Sequence, residues 1–406
     1  MSPNLDWLIS VDDHVLEPPN LWQERVPAAM RDAAPKQIRD DGGEWWEYLG
    51  KRVPTTGLSA MAGKKSQDFS PLPMTYDEMR PGCYDSKARL ADMDEAGILA
   101  SLCFPSFPRF CGQVFMEGHD KVVGLECVKA YNDWMIEEWC GSAPGRFIPL
   151  IIVPLWDPKL AAEEVLRAAD KGARGIAFSE NPPQLGLPSI FDANHYWDPL
   201  WSACSEAEVV VCMHIGSSSH NYYPNDESPH VAKMITSAPV GISYAFVEWM
   251  LSPAFAKYDN LKIALSEGSI GWMPYYLERV AYVVDRHKDW VTRFVRDAAG
   301  RYSAPTADPV LPDLFTYDAK EVFRKHVYGC FIDDAHGMRS IREIGVDNVM
   351  IETDYPHSDS TWPNCIEHAH KQLAIADLSD AEKYQILRGN AERVFRFTPA
   401  EIPQVS

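Results

Sequence analysis

The feature that most constrains the fold is a regular series of short apolar runs, most of them followed by a stretch with helical periodicity. The runs are continuous rather than alternating, which is typical of parallel strands buried on both faces. Amphipathic stretches lie between most of them, for instance 121–139 and 158–171. The pattern predicts a (β/α)₈ barrel, the TIM-barrel fold. The eight predicted strands are 8–11, 98–104, 147–153, 174–178, 209–214, 261–265, 327–332 and 348–353.

The chain is longer than a minimal barrel requires, and three segments account for the excess. With 406 residues it fits one barrel domain, 1–406, that carries loop insertions. A stretch rich in Gly, Trp and charge at about 40–81 is too irregular for a plain connection and predicts an insertion beside the barrel mouth. The segments 181–194 and 217–237 are expected to be active-site loops. Ser379 and Glu382 form a capping-box pattern that predicts a closing helix at about 379–395.

Charge and cysteine usage exclude several classes of partner. The 38 Lys and Arg against 58 Asp and Glu give a net charge of -20, which repels phosphate backbones and anionic membrane surfaces. The nine cysteines include no CxxC pair, so we expect reduced thiols. No apolar run approaches the roughly 20 residues that cross a bilayer. We therefore expect a cytoplasmic protein that binds neither nucleic acid nor membrane.

Polar side chains stand where the predicted strands end. In α/β barrels the catalytic groups occupy the carboxyl ends of the strands, so these residues are the candidates for chemistry. Carboxylates and imidazoles follow most of these strands. The strand-end residues are Asp12, Asp13 and His14 on strand one, Ser179 and Glu180 on strand four, His214 on strand five, Glu267 on strand six, Asp333 and Asp334 on strand seven, and Asp354 with His357 on strand eight.

Four of these residues form a candidate metal site. Asp12 and His14 are two apart on one strand, so both side chains point into the barrel and Asp13 points away. His214 and Asp354 would enter the same mouth and complete a set of two nitrogens and two oxygens for a divalent ion, with water in the open position. A single His after an apolar strand is more often a core residue, but four matching strand ends favour the metal.

The segments VDDHVLEPPNLW, CMHIGS, SEGSIGWMP and ETDYPHSD, in this order, resemble the amidohydrolase-related branch of the amidohydrolase superfamily, the branch typified by aminocarboxymuconate semialdehyde decarboxylase. The resemblance extends from residue 9 to about 397. It implies a (β/α)₈ barrel with one divalent metal, zinc most readily and manganese or iron otherwise. By motif, the ligands it implies are Asp12, His14, His214 and Asp354.

Two positions depart from the pattern of this family. Asp12 replaces the first His of the strand-one pair, which shifts the site toward harder metals. Glu267 stands where a strand-six His is common, and its ordinary pKa near 4.3 would have to be raised for it to donate a proton. Glu267 is therefore either a general acid or base, a ligand of a second metal, or the ion-pair partner of Arg279.

Several residues are candidates for supporting roles. Second-metal ligands beside Glu267 would be Glu17, His220 or His230, although Glu17 is better explained as a hydrogen-bonding anchor of the first loop. His357 either orients a ligand and contacts substrate or lies on a surface loop. Aromatic rings with one cation suit a small aromatic or carboxylated substrate. The substrate-binding candidates are Arg109, Trp156, Tyr222 and Trp272, with Phe107 and Tyr223 nearby.

The leading functional hypothesis is a metal-dependent hydrolase or decarboxylase in which Asp354, Glu267 and His214 are catalytic. In a hydrolase, Asp354 accepts the proton of a metal-activated water. In a decarboxylase, Glu267 or Asp354 transfers the proton that the reaction requires. The alternatives are a dinuclear iron or manganese enzyme that activates oxygen, and a metal-binding accessory subunit of a homologous catalytic partner. We also expect a homodimer or larger assembly.

Overall fold

The structure is a computed structural model that describes residues 3–40, 42–191, 194–219, 231–297, 299–304 and 312–403. Eight parallel strands form the barrel, and each predicted strand lies within about two residues of its expected start. The third strand is made of two pieces. The barrel strands are, in order, Leu8–Val15, Ile98–Pro105, Phe147–Ile148 with Leu150–Ile152, Gly175–Ser179, Val210–His214, Ile263–Ser266, Val327–Phe331 and Val349–Ile351.

The strands pair in the order in which they occur along the chain. The first strand pairs with the second and the second with the first piece of the third; the second piece continues through the fourth to the eighth strand. The eighth strand returns to the first through the amide of Asp354, which donates to the carbonyl of Asp12 at 2.9 Å, and through the amide of His14, which donates to the carbonyl of Tyr355 at 2.6 Å. The predicted barrel is therefore confirmed.

The break in the third strand follows from Pro149. Proline has no N–H to donate to a ladder, so the strand divides at this residue. Phe147–Ile148 pairs with the second strand, whereas Leu150–Ile152 pairs with the fourth. The single run predicted at 147–153 is thus two short strands on either side of the proline.

Helices connect the strands on the outside of the barrel. Among them, Pro158–Asp170 begins at Asp157, whose carboxylate accepts from two backbone amides. The predicted closing helix begins at the Ser379 and Glu382 capping box and contains a π-helical turn at Gln385–Gly389. The α-helices are Leu21–Arg25, Ser86–Ala96, Gln113–Glu117, Lys121–Trp134, Pro158–Asp170, Asp198–Ala207, Val231–Ser237, Pro239–Leu251, Ala254–Lys257, Met273–Val291, Ala319–His326, Ala335–Arg339, Ile341–Ile344, Cys365–Leu373, Asp380–Tyr384 and Asn390–Val394.

The segment predicted as an insertion forms a small antiparallel sheet that begins earlier than expected. Its strands are Lys36–Asp40, Gly43–Tyr48 and Lys51–Pro54. In the middle strand alternate side chains are buried, as one-sided packing requires. Trp46 packs on Trp22 and Phe107, so the sheet is attached next to the loop after the second barrel strand.

The remaining sequence expectations concern thiols and membranes. All nine cysteines are unpaired and buried. None of the described helices is long and apolar enough to span a bilayer.

Candidate metal centre

Asp12, His14, His214 and Asp354 converge at the barrel mouth, and we call these four residues the central cluster. The Nε2 atoms of His14 and His214 are 3.2 Å apart. The Asp12 carboxylate lies 3.5 Å from the first and 3.4 Å from the second, and Asp354 Oδ1 is 3.2 Å from His14 Nε2. All four side chains are at most 1% exposed. Donor atoms from the first, fifth and eighth strands therefore meet around one small volume.

Strand geometry explains why Asp12 and His14 share this volume while Asp13 does not. Alternate residues of a strand face opposite sides, so Asp13 points between the first, second and eighth strands. Its carboxylate accepts from the hydroxyls of Ser101 and Thr353 and from the amide of Tyr355. Asp13 therefore links neighbouring strands through buried hydrogen bonds and points away from the central cluster.

Both imidazoles turn their Nε2 atoms toward this volume. His214 Nδ1 lies 2.6 Å from the carbonyl of Ile215; because a carbonyl only accepts, this nitrogen carries the proton and Nε2 is free. Burial lowers the pKa of His214 to about 3 and that of His14 well below its usual range. A cation held between the two rings could accept the lone pairs of both Nε2 atoms.

The carboxylates give the same indication. Both oxygens of Asp12 and one of Asp354 are buried without a hydrogen-bond partner in the described part of the chain. Burial raises the pKa of Asp12 well above its usual range, and the charges of Glu352, Glu267 and Asp354 raise it further. A buried charge requires a partner. Neutral imidazoles with unsatisfied carboxylates therefore fit a divalent ion.

His357 belongs to the edge of the central cluster. Its Nδ1 is 3.0 Å from Asp354 Oδ1, and its ring stacks on His14 with 3.5 Å between centroids. Asp354 itself has φ of 51°, a left-handed conformation that is uncommon outside glycine and recurs at functional sites. His357 is therefore placed to orient Asp354, and it is not a surface residue.

Glu267 approaches the central cluster from the sixth strand. Its Oε2 is 3.4 Å from His214 Nε2, and burial raises its pKa well above the usual range. The predicted ion pair with Arg279 is not formed, because Arg279 is exposed and lies over the ring of Tyr282. The ion-pair explanation of Glu267 is thus wrong, and its carboxylate faces the central cluster.

Sequence reasoning missed two residues of this mouth. Glu352 is 1% exposed and accepts from the amide of Glu267 at 3.0 Å, while its other oxygen has no partner among the described residues. It precedes Asp354 by two residues, so strand alternation could have identified it. The ring of Phe110 stacks on His214 with 4.1 Å between centroids. No spacing rule marks a loop residue such as Phe110.

An open cleft of about 740 Å³, partly continuous with solvent, borders the central cluster at Glu267, whose Oε2 lies 3.4 Å from His214 Nε2. The acidic residues of its wall are Glu267, Asp333, Glu352 and Asp359. Apolar side chains complete the wall. They are Ile215, Ile235, Pro239 and Ile332.

The predicted supporting residues do not all reach this cleft. Both Glu17 oxygens accept backbone amides, from Ser106 and Phe107, so Glu17 anchors the first loop and is not a second-metal ligand. His220, Tyr222, Tyr223 and His230 lie outside the described residues.

The other three substrate-binding candidates have local partners. Arg109 pairs with Glu117 at 2.6 Å. Trp156 packs beneath the ammonium of Lys121, and the indole N–H of Trp272 donates to the carbonyl of Gly268. These contacts explain the positions of the three side chains, so a role in substrate binding is not needed to explain them.

Comparison with known proteins identifies the family of this chain. A model of the amidohydrolase family matches residues 26–397. The gamma-resorcylate decarboxylase of Polaromonas sp. (strain JS666 / ATCC BAA-500) is 26% identical over 329 residues, which are 77% of this chain and 87% of the relative. That of Rhodococcus jostii (strain RHA1) is 24% identical over 349 residues, 80% of this chain and 92% of the relative.

Solved structures share the fold over nearly the whole chain. An amidohydrolase from Mycobacterium avium subsp. paratuberculosis K-10 superposes with a TM-score of 0.69 at 20% identity and covers 96% of this chain and 99% of its own. A dihydroxybenzoic acid decarboxylase from Polaromonas sp. JS666, solved with manganese and 2-nitroresorcinol, has a TM-score of 0.60 at 19% identity and covers 98% and 99%.

The chain belongs to the amidohydrolase family. It is an enzyme of the metal-dependent hydrolase and carboxy-lyase class, and the resemblance stated from its motifs is confirmed. A divalent metal ion is its cofactor. The expectation that this ion is zinc lacks support, because the solved neighbours whose metal is stated hold manganese.

Proposed function

We propose that this protein is a divalent-metal-dependent decarboxylase of a hydroxylated aromatic acid. The observation that carries the proposal is the central cluster, in which two neutral imidazoles and two carboxylates with unsatisfied oxygens lie beside Glu267, a residue of the cleft wall. Relatives that match most of the chain are gamma-resorcylate decarboxylases, which favours carbon dioxide release over hydrolysis.

Manganese is the proposed ion. Carboxylate oxygens from Asp12 and Asp354, with Glu267 close by, make the donor set rich in hard ligands, which favours manganese over zinc. The manganese in the Polaromonas structure supports the same choice. Asp12, His14, His214 and Asp354 would hold the ion.

In the proposed reaction the bond between the ring carbon and the carboxylate breaks, carbon dioxide leaves, and the ring carbon gains a proton. A bound divalent ion would polarise the substrate oxygens and neutralise charge that develops on them. Asp354 Oδ1 or Glu267 Oε2 would hold the proton that the ring carbon receives, since both carboxyl groups face the cluster. His357 would orient Asp354, and Phe110 would shield His214 from water.

The cleft favours substrates with a single carboxylate. Asp333 and Asp359 add negative charge to a wall that already contains Glu267 and Glu352. A second carboxylate on the substrate would meet this charge, whereas phenolic hydroxyls can donate to it. We therefore expect gamma-resorcylate to be a better substrate than 5-carboxyvanillate, which has two carboxylates.

The test is turnover by the purified chain after removal of metal and reloading with Mn²⁺. Gamma-resorcylate, 5-carboxyvanillate and a panel of amides and esters are supplied, and loss of each substrate is followed by absorbance and chromatography. Metal-dependent loss of gamma-resorcylate is expected. Turnover of an amide or ester alone would replace the proposal with a hydrolase. Oxygen consumption with two metals per chain would favour the dinuclear oxygenase, and full metal loading without turnover would favour the accessory subunit.

A further inference from the structure

Another buried carboxylate, that of Glu180, directly follows the fourth strand and is not among the residues of the central cluster or of the cleft wall. Glu180 is 1% exposed. Its Oε1 accepts from the hydroxyl of Ser218 at 2.7 Å, and its Oε2 accepts from the hydroxyl of Ser217. The amide of Ser218 also donates to this carboxylate, and the amide of Glu180 donates to Ser217 Oγ at 2.9 Å. Several bonds therefore join one side chain to two adjacent serines.

Those serines belong to the turn that follows His214. The amide of Ser217 donates to the carbonyl of His214 at 3.1 Å, and Gly216 supplies the positive φ of 77° that the turn requires. Within this turn the carbonyl of Ile215 accepts from His214 Nδ1 at 2.6 Å. The position of the Ile215 carbonyl therefore decides which ring nitrogen of His214 carries the proton.

From this chain of contacts we infer that Glu180 is a positioning residue for His214: it holds the 215–218 turn so that the Ile215 carbonyl keeps Nδ1 protonated and Nε2 free to bind the ion. The inference rests on the proposed function, because it needs a metal at the central cluster. Groups that orient a metal-binding imidazole through its other nitrogen commonly change metal affinity by 10- to 100-fold when they are removed.

The serine hydroxyls explain why the residue is a carboxylate. An ionised carboxylate only accepts, so it can take the hydroxyls of both Ser217 and Ser218 together with the amide of Ser218. A glutamine has one oxygen and one NH₂ group in the same place. Its NH₂ group only donates, so the serine hydroxyl facing it would have to reverse its role and accept, and a bond to a charged carboxylate would become a weaker neutral one.

The experiment measures the Kd for Mn²⁺ by titration of the metal-free full chain, with the electron paramagnetic resonance signal of free Mn²⁺ as the readout. Glu180→Gln is compared with Glu164→Gln, a matched control. Glu164 is also buried, at 2% exposure, but it binds Asn132 and Arg167 on the outer helices. Both variants are expected to lower the Tm, and only Glu180→Gln should raise the Kd, by about tenfold or more.

Ser218→Ala provides a second route if Glu180→Gln does not fold. It should also raise the Kd for Mn²⁺. In a double variant that folds, the increase in Kd should be smaller than the product of the two single increases, because both changes weaken the same attachment. Parent-like Kd values in Glu180→Gln and Ser218→Ala would overturn the positioning role. Decarboxylation is measured separately, so a parent chain that binds Mn²⁺ but releases no carbon dioxide refutes the proposed function and leaves this result standing.

Discussion

His14 and His214 face each other across the barrel mouth with their Nε2 atoms 3.2 Å apart, although they are 200 residues apart in the chain. His214 Nε2 carries no proton, because its Nδ1 donates to the carbonyl of Ile215, and burial keeps the pKa of each ring low. Asp12 and Asp354 add carboxylate oxygens within 3.5 Å of these nitrogens. This set of donor atoms fits a divalent cation.

Replacement of His14 by alanine should remove the ion. His14→Ala deletes one nitrogen ligand, and we expect elemental analysis to show a fall from about one ion per chain to less than about a tenth, with loss of activity. The control is His326→Ala, since His326 is also buried and stacks on Phe255 away from the site. That variant should lose stability and keep its metal; full occupancy in His14→Ala would count against the assignment.

Asp354→Asn tests the combined binding and proton roles of this carboxylate. The substitution conserves shape but removes the basic oxygen, so kcat should fall by about 100-fold or more in the folded, metal-loaded fraction. Asp334→Asn is the matched control. Asp334 caps the Ala335–Arg339 helix and accepts from the amides of Ile270 and Gly271, so its loss should lower the Tm and leave kcat intact. Parent-like turnover by Asp354→Asn would refute the proton role.

Glu267→Gln separates the two remaining explanations of Glu267. If this residue donates a proton, its raised pKa keeps it protonated at lower pH, so activity should be lost as pH rises, and the Gln variant should lack that limb with metal content unchanged. If it binds a second ion, metal content should fall from two toward one. A change in Tm alone would exclude both roles.

Glu17 should make stability depend on pH. Burial raises its pKa from 4.5 to about 7, so the folded state binds the proton more tightly than the unfolded state. The contribution of Glu17 to the free energy of unfolding is therefore greatest at low pH. It falls by about 3 kcal/mol, relative to a variant without the charge, as pH rises through the range from 4.5 to about 7. Denaturant unfolding of the parent and Glu17→Gln at pH 4.5 and pH 8 measures the difference. Parallel pH dependences would show that Glu17 does not titrate in this range.

The oligomeric state remains a prediction. Tyr275 and Tyr282 on the Met273–Val291 helix are more than half exposed, and Val240 and Tyr244 on the Pro239–Leu251 helix are about half exposed. Large apolar side chains on outer helices are common at subunit interfaces. We expect sedimentation to give a dimer or larger species at micromolar concentration. A single species near 45.7 kDa would contradict this.

Sequence patterns predicted the parts of the molecule that strand geometry controls. Continuous apolar runs located the eight barrel strands, and alternation along a strand placed Asp12 beside His14. The same rule could have found Glu352, two residues before Asp354. The break at Pro149 was also readable, because proline cannot donate to a ladder.

Loop residues were harder to predict, because their positions depend on tertiary contacts rather than on a repeat. Phe110 reaches His214 from the loop after the second strand, while Arg109 beside it pairs with Glu117. Trp156 and Trp272 were expected at the mouth but have packing partners of their own. In a chain with 13 tryptophans, composition alone does not separate a recognition residue from a core residue.

The most direct test of the central claim uses gamma-resorcylate labelled with ¹³C in its carboxylate, incubated with the Mn²⁺-loaded chain in D₂O and followed by NMR. Decarboxylation predicts that the label appears as carbon dioxide and bicarbonate, that the ring product gains one deuterium at the carbon that lost the carboxylate, and that the metal-free chain and His14→Ala do neither. Retention of the label in the aromatic acid by a fully loaded chain would contradict the account.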